Sequence, residues 1–193
     1  MLMETVKLLS RAELDAGLDT IRQSPKDSGA LTLIVRRPGI DRRETPDQAR
    51  LDPAYGLEGD SWQSRPSSHT GDGAPNVQTQ LTIINTRTIG LIAPDVTRWP
   101  LAGDQLYIEL DLSRDNLPPG TRLAIGEAVV EVTSEPHTGC AKFVARFGLD
   151  AMKFVNSPIG RELNLRGINA RVVQAGHIRL GDIARREGNP QSK

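Results

Sequence analysis

The sequence of 193 residues contains one cysteine, three histidines and three methionines, and its formal net charge is zero. A lone cysteine excludes an internal disulfide, and balanced charge argues against charge-driven binding to nucleic acid or to a membrane surface. No run approaches the roughly 20 apolar residues of a membrane helix, and the N-terminus is too short and interrupted for a signal peptide. We therefore expect a soluble cytoplasmic protein with neither nucleic-acid nor membrane partners.

Several sequence motifs of common cofactor and catalytic sites are also missing. No G-x-G-x-x-G opens a helix after a predicted strand, and neither a Walker loop nor a G-x-S-x-G elbow occurs. His137 and Cys140 have ligand-like spacing, but a zinc site would also need His69 or His177 and a fourth group to converge on them. A dinucleotide fold and a structural zinc site are therefore poorly supported.

The residues that are present predict a mainly β protein with a few short helices. Eighteen glycines and 13 prolines indicate many turns. Apolar alternation and β-branched runs predict strands at 31–36, 80–85, 106–112, 123–125, 128–132, 170–175 and 177–180. Short helices are predicted at 11–23, where Ser10 and Glu13 form a capping-box pattern, at 86–92, 141–147 and 150–155, and after the N-cap Ser157. The alternation at 106–112 is that of a half-buried strand, Gly126-Glu127 predicts a hairpin connection, and the polar segment 38–53 predicts a loop. This pattern favours a β-barrel or sandwich with an N-terminal helical extension at 1–30, a barrel domain at 31–184 and a flexible tail at 185–193.

Cys140 is the main candidate for chemistry, because it follows a predicted strand and precedes a predicted helix. The thiolate is the reactive form of cysteine and also a soft metal ligand. Positive charge on His137 or Lys142 would lower the pKa of the thiol if either side chain lies close. The alternative is a small buried hydrophobe, since free cysteine is often buried. The residues alone leave both interpretations open.

Arginines and Gly-Asp pairs form a second group of candidates. Arg65, Arg166 and Arg171 are candidates for clamping a phosphate, although a single arginine is more often a solvated surface charge. The Gly-Asp pairs at 59–60, 103–104 and 181–182 mostly fit turn chemistry. The segment 61–76 fits either a lid over a pocket or a disordered insert.

An ordered series of motifs covers most of the chain. It consists of GLEGD at 56–60, QLTIIN at 80–85, LAGDQL at 101–106, PGTRLAIG at 119–126, EVTSEPHTGCAK at 131–142 and LRGINARVVQAGHIRLGD at 165–182. From residue 31 to 183, this order resembles the MOSC domain, the module found at the C-terminus of molybdenum cofactor sulfurases.

The resemblance implies a β-barrel of the pyruvate-kinase type that binds a molybdenum–pterin cofactor (molybdopterin). Cys140 would be the family cysteine, either a sulfur carrier or a molybdenum ligand. His137 and Thr138 would lie near the oxo groups of the metal. Candidates for binding the cofactor's phosphate are Arg65, Lys142, Arg166 and Arg171. The family motifs also include Asp60 and Asn85, for which we expect structural roles.

Three functions remain open from the resemblance. The first is a sulfur carrier or transferase acting through Cys140; the chain contains no pyridoxal-phosphate domain, so sulfur would come from a cysteine desulfurase or another donor. The second is a molybdenum-dependent reductase of N-hydroxylated compounds, with Cys140 as metal ligand and a separate electron-donor protein. The third is a non-catalytic cofactor-binding module.

Overall fold

The computed structural model describes residues 7–66 and 70–188. Its strands are β1 (Ser28–Ile34), β2 (Gln48–Asp52), β3 (Gly56–Leu57), β4 (Leu81–Asn85), β5 (Leu106–Ile108), β6 (Arg122–Ile125), β7 (Ala128–Val132), β8 (Ile168–Gln174), β9 (Gly176–Arg179) and β10 (Ile183–Arg186). The α-helices are α1 (Arg11–Ala16), α2 (Leu18–Arg22), α3 (Thr86–Ile92), α4 (Ala141–Phe147), α5 (Leu149–Val155) and α6 (Pro158–Glu162). Short 3-10 helices cover Trp62–Ser64, Val77–Thr79 and Val96–Ala102.

Seven strands close into a barrel in the order β1-β10-β6-β7-β8-β4-β5. Neighbouring strands in the barrel are antiparallel, except for the parallel pair β4 and β5. The remaining strands form a small sheet in the order β3-β2-β9. The prediction of a mainly β barrel with a few short helices is confirmed.

Apolar residues bury β5 on both faces, inside and outside the barrel. Leu106 and Ile108 belong to the cluster inside the barrel, whereas Tyr107 belongs to a second cluster that packs the outer face against the helices. The helices contribute Leu14, Phe143, Phe147 and Phe154 to that second cluster. The alternation at 106–112 predicted a half-buried strand, but the strand covers only Leu106–Ile108, and the helical layer also buries its outer face at Tyr107.

Local signals in the sequence fix several helix and hairpin boundaries. Ser10 and Glu13 form the predicted capping box before α1, and Ser157 caps α6. The predicted hairpin at Gly126 joins β6 to β7. The single helix predicted at 11–23 is instead two short helices, α1 and α2, separated at Gly17.

Strand boundaries differ more from the predictions. The first and last barrel strands, Ser28–Ile34 and Ile183–Arg186, extend beyond the predicted limits of residues 31 and 184. The predicted loop at 38–53 contains β2, because Ala49 and Leu51 are buried where β2 pairs with β9. His69 and residues 189–193 of the predicted tail lie outside the described residues.

Replacing Gly176 with alanine is expected to destabilise the barrel. A Cβ at this position would overlap the Glu127 carbonyl group and lie 2.6 Å from the backbone nitrogen of Ala128. Backbone atoms of a hairpin cannot move aside as a flexible side chain can, so we expect Gly176→Ala to lower the free energy of unfolding by about 3 kcal/mol. Chemical denaturation measures this. Gly71→Ala is the control, since a Cβ there meets nothing within 4 Å, and equal losses in both variants would contradict the prediction.

Candidate functional site

The segments that follow β1 and β7 and those that precede β5 and β8 converge on an open cleft of about 600 Å³. One thiol, Cys140, and one imidazole, His137, line it. Its basic lining residues are Arg37, Arg43, Arg65, Lys142, Arg146 and Arg166. Asp41 is the carboxylate in the lining, so the cleft carries a large excess of positive charge.

A buried carboxylate, Asp60, anchors Arg37 at the cleft. The Asp60 side chain is 0% exposed and accepts two hydrogen bonds from the Arg37 guanidinium, at 2.8 and 3.1 Å. Arg37 also donates to the backbone oxygen of Gly103 at 2.8 Å. Asp60 accepts the backbone N–H of Trp62 as well, so it combines a turn with an ion pair and has the structural role expected for it.

A second buried carboxylate, Asp104, anchors Arg166. The Asp104 side chain is also 0% exposed and accepts a 2.7 Å hydrogen bond from Arg166. Arg166 donates to the Ala102 backbone oxygen at 2.9 Å and lies 4.9 Å from the ring centroid of Phe143. Burial raises the pKa of Asp104, and the positive charge of Arg166 opposes that rise. Turn chemistry therefore does not account for Asp104, although it accounts for Asp182, which accepts the Arg179 backbone N–H.

Three cations at the cleft, Arg43, Arg65 and Lys142, form no ion pair with a carboxylate of the described residues. Burial lowers the pKa of Arg43 and of Arg65, and the positive charges of neighbouring arginines lower both further. Arg65 donates both of its cleft hydrogen bonds to the Ser61 hydroxyl, which carries no charge. These like charges repel one another, so a bound anion would stabilise this part of the cleft.

His137 lines the cleft, and its ring faces the buried carboxylate of Asp104. Its side chain is 16% exposed, and its Nδ1 lies 3.5 Å from Asp104 Oδ1. Burial holds the pKa of His137 well below its usual range, and the positive charges of Arg166 and Arg37 lower it further.

Cys140 is exposed and immediately precedes α4. Burial of part of the thiol raises its pKa, but the backbone N–H groups of Phe143 and Lys142 and the positive charges of Arg166 and Arg146 more than offset this, so the pKa is lowered. The alternative of a buried hydrophobe is therefore wrong. The predicted effects of the charges on His137 and Lys142 are also wrong: the positive charges that lower this pKa belong to Arg166 and Arg146, and Lys142 acts through its backbone N–H.

The residue before the cysteine is held in place by the side chain of Asn156, the residue that directly follows α5. Asn156 accepts the backbone N–H of Gly139 at 2.8 Å and donates to the Gly139 backbone oxygen at 3.0 Å. A Cβ at Gly139 would lie 3.1 Å from a methyl group of Val155, so glycine lets the chain pack closely against α5. These contacts fix the position from which Cys140 faces the cleft.

Two predicted site residues do not line the cleft. Thr138 is exposed and lies outside its lining. Arg171 lies on β8 and forms a 2.6 Å ion pair with Glu131 of β7, directly across the ladder. Among the other predicted residues, the cleft brings together Arg65, His137, Cys140, Lys142 and Arg166.

Three arginines of the cleft were not predicted from the sequence: Arg37, Arg43 and Arg146. A signal for two of them was present, because Arg36-Arg37 and Arg42-Arg43 surround Pro38-Gly39 directly after the first predicted strand. Basic pairs around a turn at a strand end are a pattern of anion-binding loops. The segment 61–76 contributes Ser61, Ser64 and Arg65 to the lining.

Within residues 7–66 and 70–188, no group of three or more His, Cys, Asp or Glu side chains is placed to hold a metal ion. Over the same part of the chain, every helix is too short or too polar to cross a membrane.

Solved structures with the same fold come from proteins of distant sequence. YuaD from Bacillus subtilis matches with a TM-score of 0.59 at 15% identity, covering 84% of this chain and 97% of that one. A hypothetical protein matches with a TM-score of 0.56 at 18% identity, covering 90% and 73%. YiiM from Escherichia coli matches with a TM-score of 0.53 at 16% identity, covering 83% and 70%.

No protein-family model and no curated protein matches the sequence. The likeness is therefore one of fold: the barrel is shared with YuaD and YiiM, both MOSC-domain proteins. At these identities the likeness concerns architecture and not activity. The chain has a MOSC-like β-barrel fold.

Proposed function

We propose that the cleft binds a molybdenum–pterin cofactor and that Cys140 serves as a sulfur carrier for it. The observation that carries the proposal is an exposed thiol in a cleft with three cations that pair with no carboxylate of residues 7–66 and 70–188, and the lowered pKa of that thiol agrees with it. An anion-binding cleft and a reactive thiolate are the two features that a phosphorylated cofactor and sulfur transfer require.

The residues of the cleft fit such a cofactor in two respects. Arg43, Arg65 and Lys142 supply donors for a phosphate, and guanidinium groups bind phosphate through paired N–H donors. Cys140 supplies one soft ligand, which is sufficient for a metal that arrives with other ligands attached. When bound, the cofactor would supply a molybdenum centre able to take a sulfur ligand.

Sulfur reaches Cys140 in a step that needs no external oxidant or reductant. The Cys140 thiolate attacks the terminal sulfur of a persulfide on a donor such as a cysteine desulfurase. A sulfur–sulfur bond forms at Cys140 while the sulfur–sulfur bond of the donor breaks, and the donor leaves as a thiolate. The positive charges of Arg166 and Arg146, which lower the pKa of the thiol, also stabilise the persulfide anion on Cys140.

The test is the metal content of protein purified from a host that makes molybdenum cofactor. We expect near-stoichiometric molybdenum in the wild type and a loss of at least about tenfold in Arg43→Gln/Arg65→Gln, because each lost charged hydrogen bond weakens binding. Arg171→Gln, which alters a cation outside the cleft, is the control and should retain the wild-type content.

Cys140→Ser separates the two roles of the thiol. Retained molybdenum with loss of sulfur uptake supports a sulfur carrier. Loss of molybdenum assigns Cys140 as a metal ligand and favours the reductase of N-hydroxylated compounds. Absence of molybdenum from the wild type, in cells shown to supply the cofactor, would overturn the proposal.

A further inference from the structure

Three buried polar atoms behind the cleft have no hydrogen-bond partner within the described part of the chain: Asp104 Oδ1, His137 Nδ1 and Arg166 Nε. A buried polar atom without a hydrogen-bond partner destabilises the fold. A protonation state that lets two such atoms interact is therefore favoured. Asp104 Oδ1 is an acceptor, and it lies 3.5 Å from His137 Nδ1. That separation is longer than a formed hydrogen bond. A protonated Nδ1 would nevertheless be the donor that Oδ1 lacks, and Oδ1 would be the acceptor that the Nδ1–H group lacks.

We propose that Asp104 is a positioning residue that keeps the proton of His137 on Nδ1. The neutral ring then carries a bare Nε2, which is a hydrogen-bond acceptor, on a residue that lines the cleft. This assignment concerns the same cleft as the proposed function, but it holds whichever reaction Cys140 performs.

The carboxylate of Asp104 can favour only one tautomer. Arg166 occupies Oδ2 at 2.7 Å, so Oδ1 is the oxygen left facing the ring. An unprotonated Nδ1 would place a lone pair against the lone pairs of Oδ1, whereas Nδ1–H donates toward them. Electrostatic repulsion therefore excludes the Nε2–H tautomer.

A doubly protonated ring is excluded by the charges around it. The negative charge of Asp104 is already paired with Arg166, and Arg37 adds further positive charge nearby. An imidazolium would be an unpaired cation in a buried cluster. Gly167 lies against the ring: a Cβ there would be 3.3 Å from Nδ1 and would overlap the Ile83 carbonyl group. The backbone thus packs the ring against Asp104.

The tautomer of His137 determines which hydrogen-bonding groups of a ligand the cleft favours. His137 borders both the cleft and a smaller adjoining cavity of about 220 Å³. A bare Nε2 accepts a hydrogen bond, so it favours a ligand that places an N–H or O–H group against the His137 ring. It disfavours a ligand that presents a carbonyl or carboxylate oxygen there, since two acceptors repel.

Nitrogen-15 NMR of protein labelled at histidine tests the assignment without any ligand. The chain has three histidines, and a His137→Gln sample identifies which signals belong to His137. We expect the neutral Nδ1–H pattern at neutral pH, with a protonated-type shift at Nδ1 and an unprotonated-type shift at Nε2. An Nε2–H pattern or an imidazolium at neutral pH in the wild type would overturn the inference.

Asp104→Asn tests the cause. Arg166 requires an oxygen acceptor, so the amide oxygen should stay toward Arg166 and the NH2 group should face Nδ1. The NH2 group is a donor, and we expect it to switch His137 to the Nε2–H tautomer. Asp60→Asn is the matched control, because Asp60 is an equally buried carboxylate paired with an arginine. Retention of the Nδ1–H tautomer in Asp104→Asn would refute the role of Asp104. If this variant does not fold, the wild-type spectrum still decides which tautomer is present.

Discussion

Sulfur uptake is expected to stop completely when Cys140 is replaced by serine. Cys140 is the only cysteine in the sequence, so the intact mass of the protein reports on one thiol. After incubation with a cysteine desulfurase and cysteine, the wild type should gain one sulfur atom that a reductant removes. Cys140→Ser should gain none, because a hydroxyl at neutral pH is a poor nucleophile toward a persulfide. Equal gains in both proteins would place the sulfur elsewhere and refute the carrier role.

The pH dependence of alkylation tests the thiolate itself. Because the pKa of Cys140 is lowered, the rate of alkylation should rise through a midpoint below the ordinary range of a thiol. Arg146→Gln removes a positive charge that stabilises the thiolate, so it should move this midpoint upward and slow alkylation at neutral pH. Arg171→Gln should leave the profile unchanged. A wild-type midpoint at or above the ordinary value would contradict the electrostatic account.

The second large effect concerns stability: Arg166→Leu is expected to cost about 3–5 kcal/mol of unfolding free energy. The substitution removes the cation paired with Asp104, whose side chain is 0% exposed, and it leaves a buried carboxylate without its ion-pair partner. Chemical denaturation gives the magnitude. Arg171→Leu is the matched control, because its pair with Glu131 is partly exposed at 40% and 17%, and we expect a loss of about 1 kcal/mol or less.

The cost of Arg166→Leu should depend on pH with a definite sign. Burial already raises the pKa of Asp104 above its unfolded value, and loss of Arg166 raises it further. An acid with a raised folded pKa stabilises the fold at pH values below its unfolded pKa and loses that contribution as pH rises through the folded pKa. The variant should therefore be closest to the wild type in acid and furthest from it at neutral pH.

A double variant isolates the buried charge as the cause. Asp104→Asn/Arg166→Leu replaces the carboxylate by a neutral amide, so it should recover part of the stability lost in Arg166→Leu at neutral pH. A loss in Arg166→Leu no greater than in Arg171→Leu, or no recovery in the double variant, would show that the ion pair contributes little.

The sequence predicted those parts of the fold whose signals are local. The capping box of Ser10 and Glu13, the hairpin at Gly126 and the N-cap at Ser157 each involve residues a few positions apart. Cys140 was also found from the sequence, because a lone thiol between a strand and a helix is conspicuous without any tertiary information. The resemblance of the motif series to the MOSC domain predicted the β-barrel.

The sequence did not predict which charges meet in the cleft. The pair of Arg166 with Asp104 joins residues 62 positions apart, and that of Arg37 with Asp60 joins residues 23 apart. Arg171 looked equivalent to Arg166 in sequence, but its place on β8 sets it opposite Glu131, whereas Arg166 lies before that strand begins. Partners of this kind follow from the closure of the barrel and not from local spacing.

The barrel has an odd number of strands, and this number affects how the cleft is built. In a closed ring of seven strands, direction cannot alternate at every step, so an odd-numbered ring requires a parallel neighbour, here β4 and β5. Parallel neighbours need a crossover, and in this protein the crossover spans residues 86–105. Its final residues supply the Ala102 and Gly103 carbonyl groups and the Asp104 carboxylate that hold Arg166 and Arg37. The crossover that the odd strand number makes necessary is therefore the same segment that holds two arginines of the cleft in place.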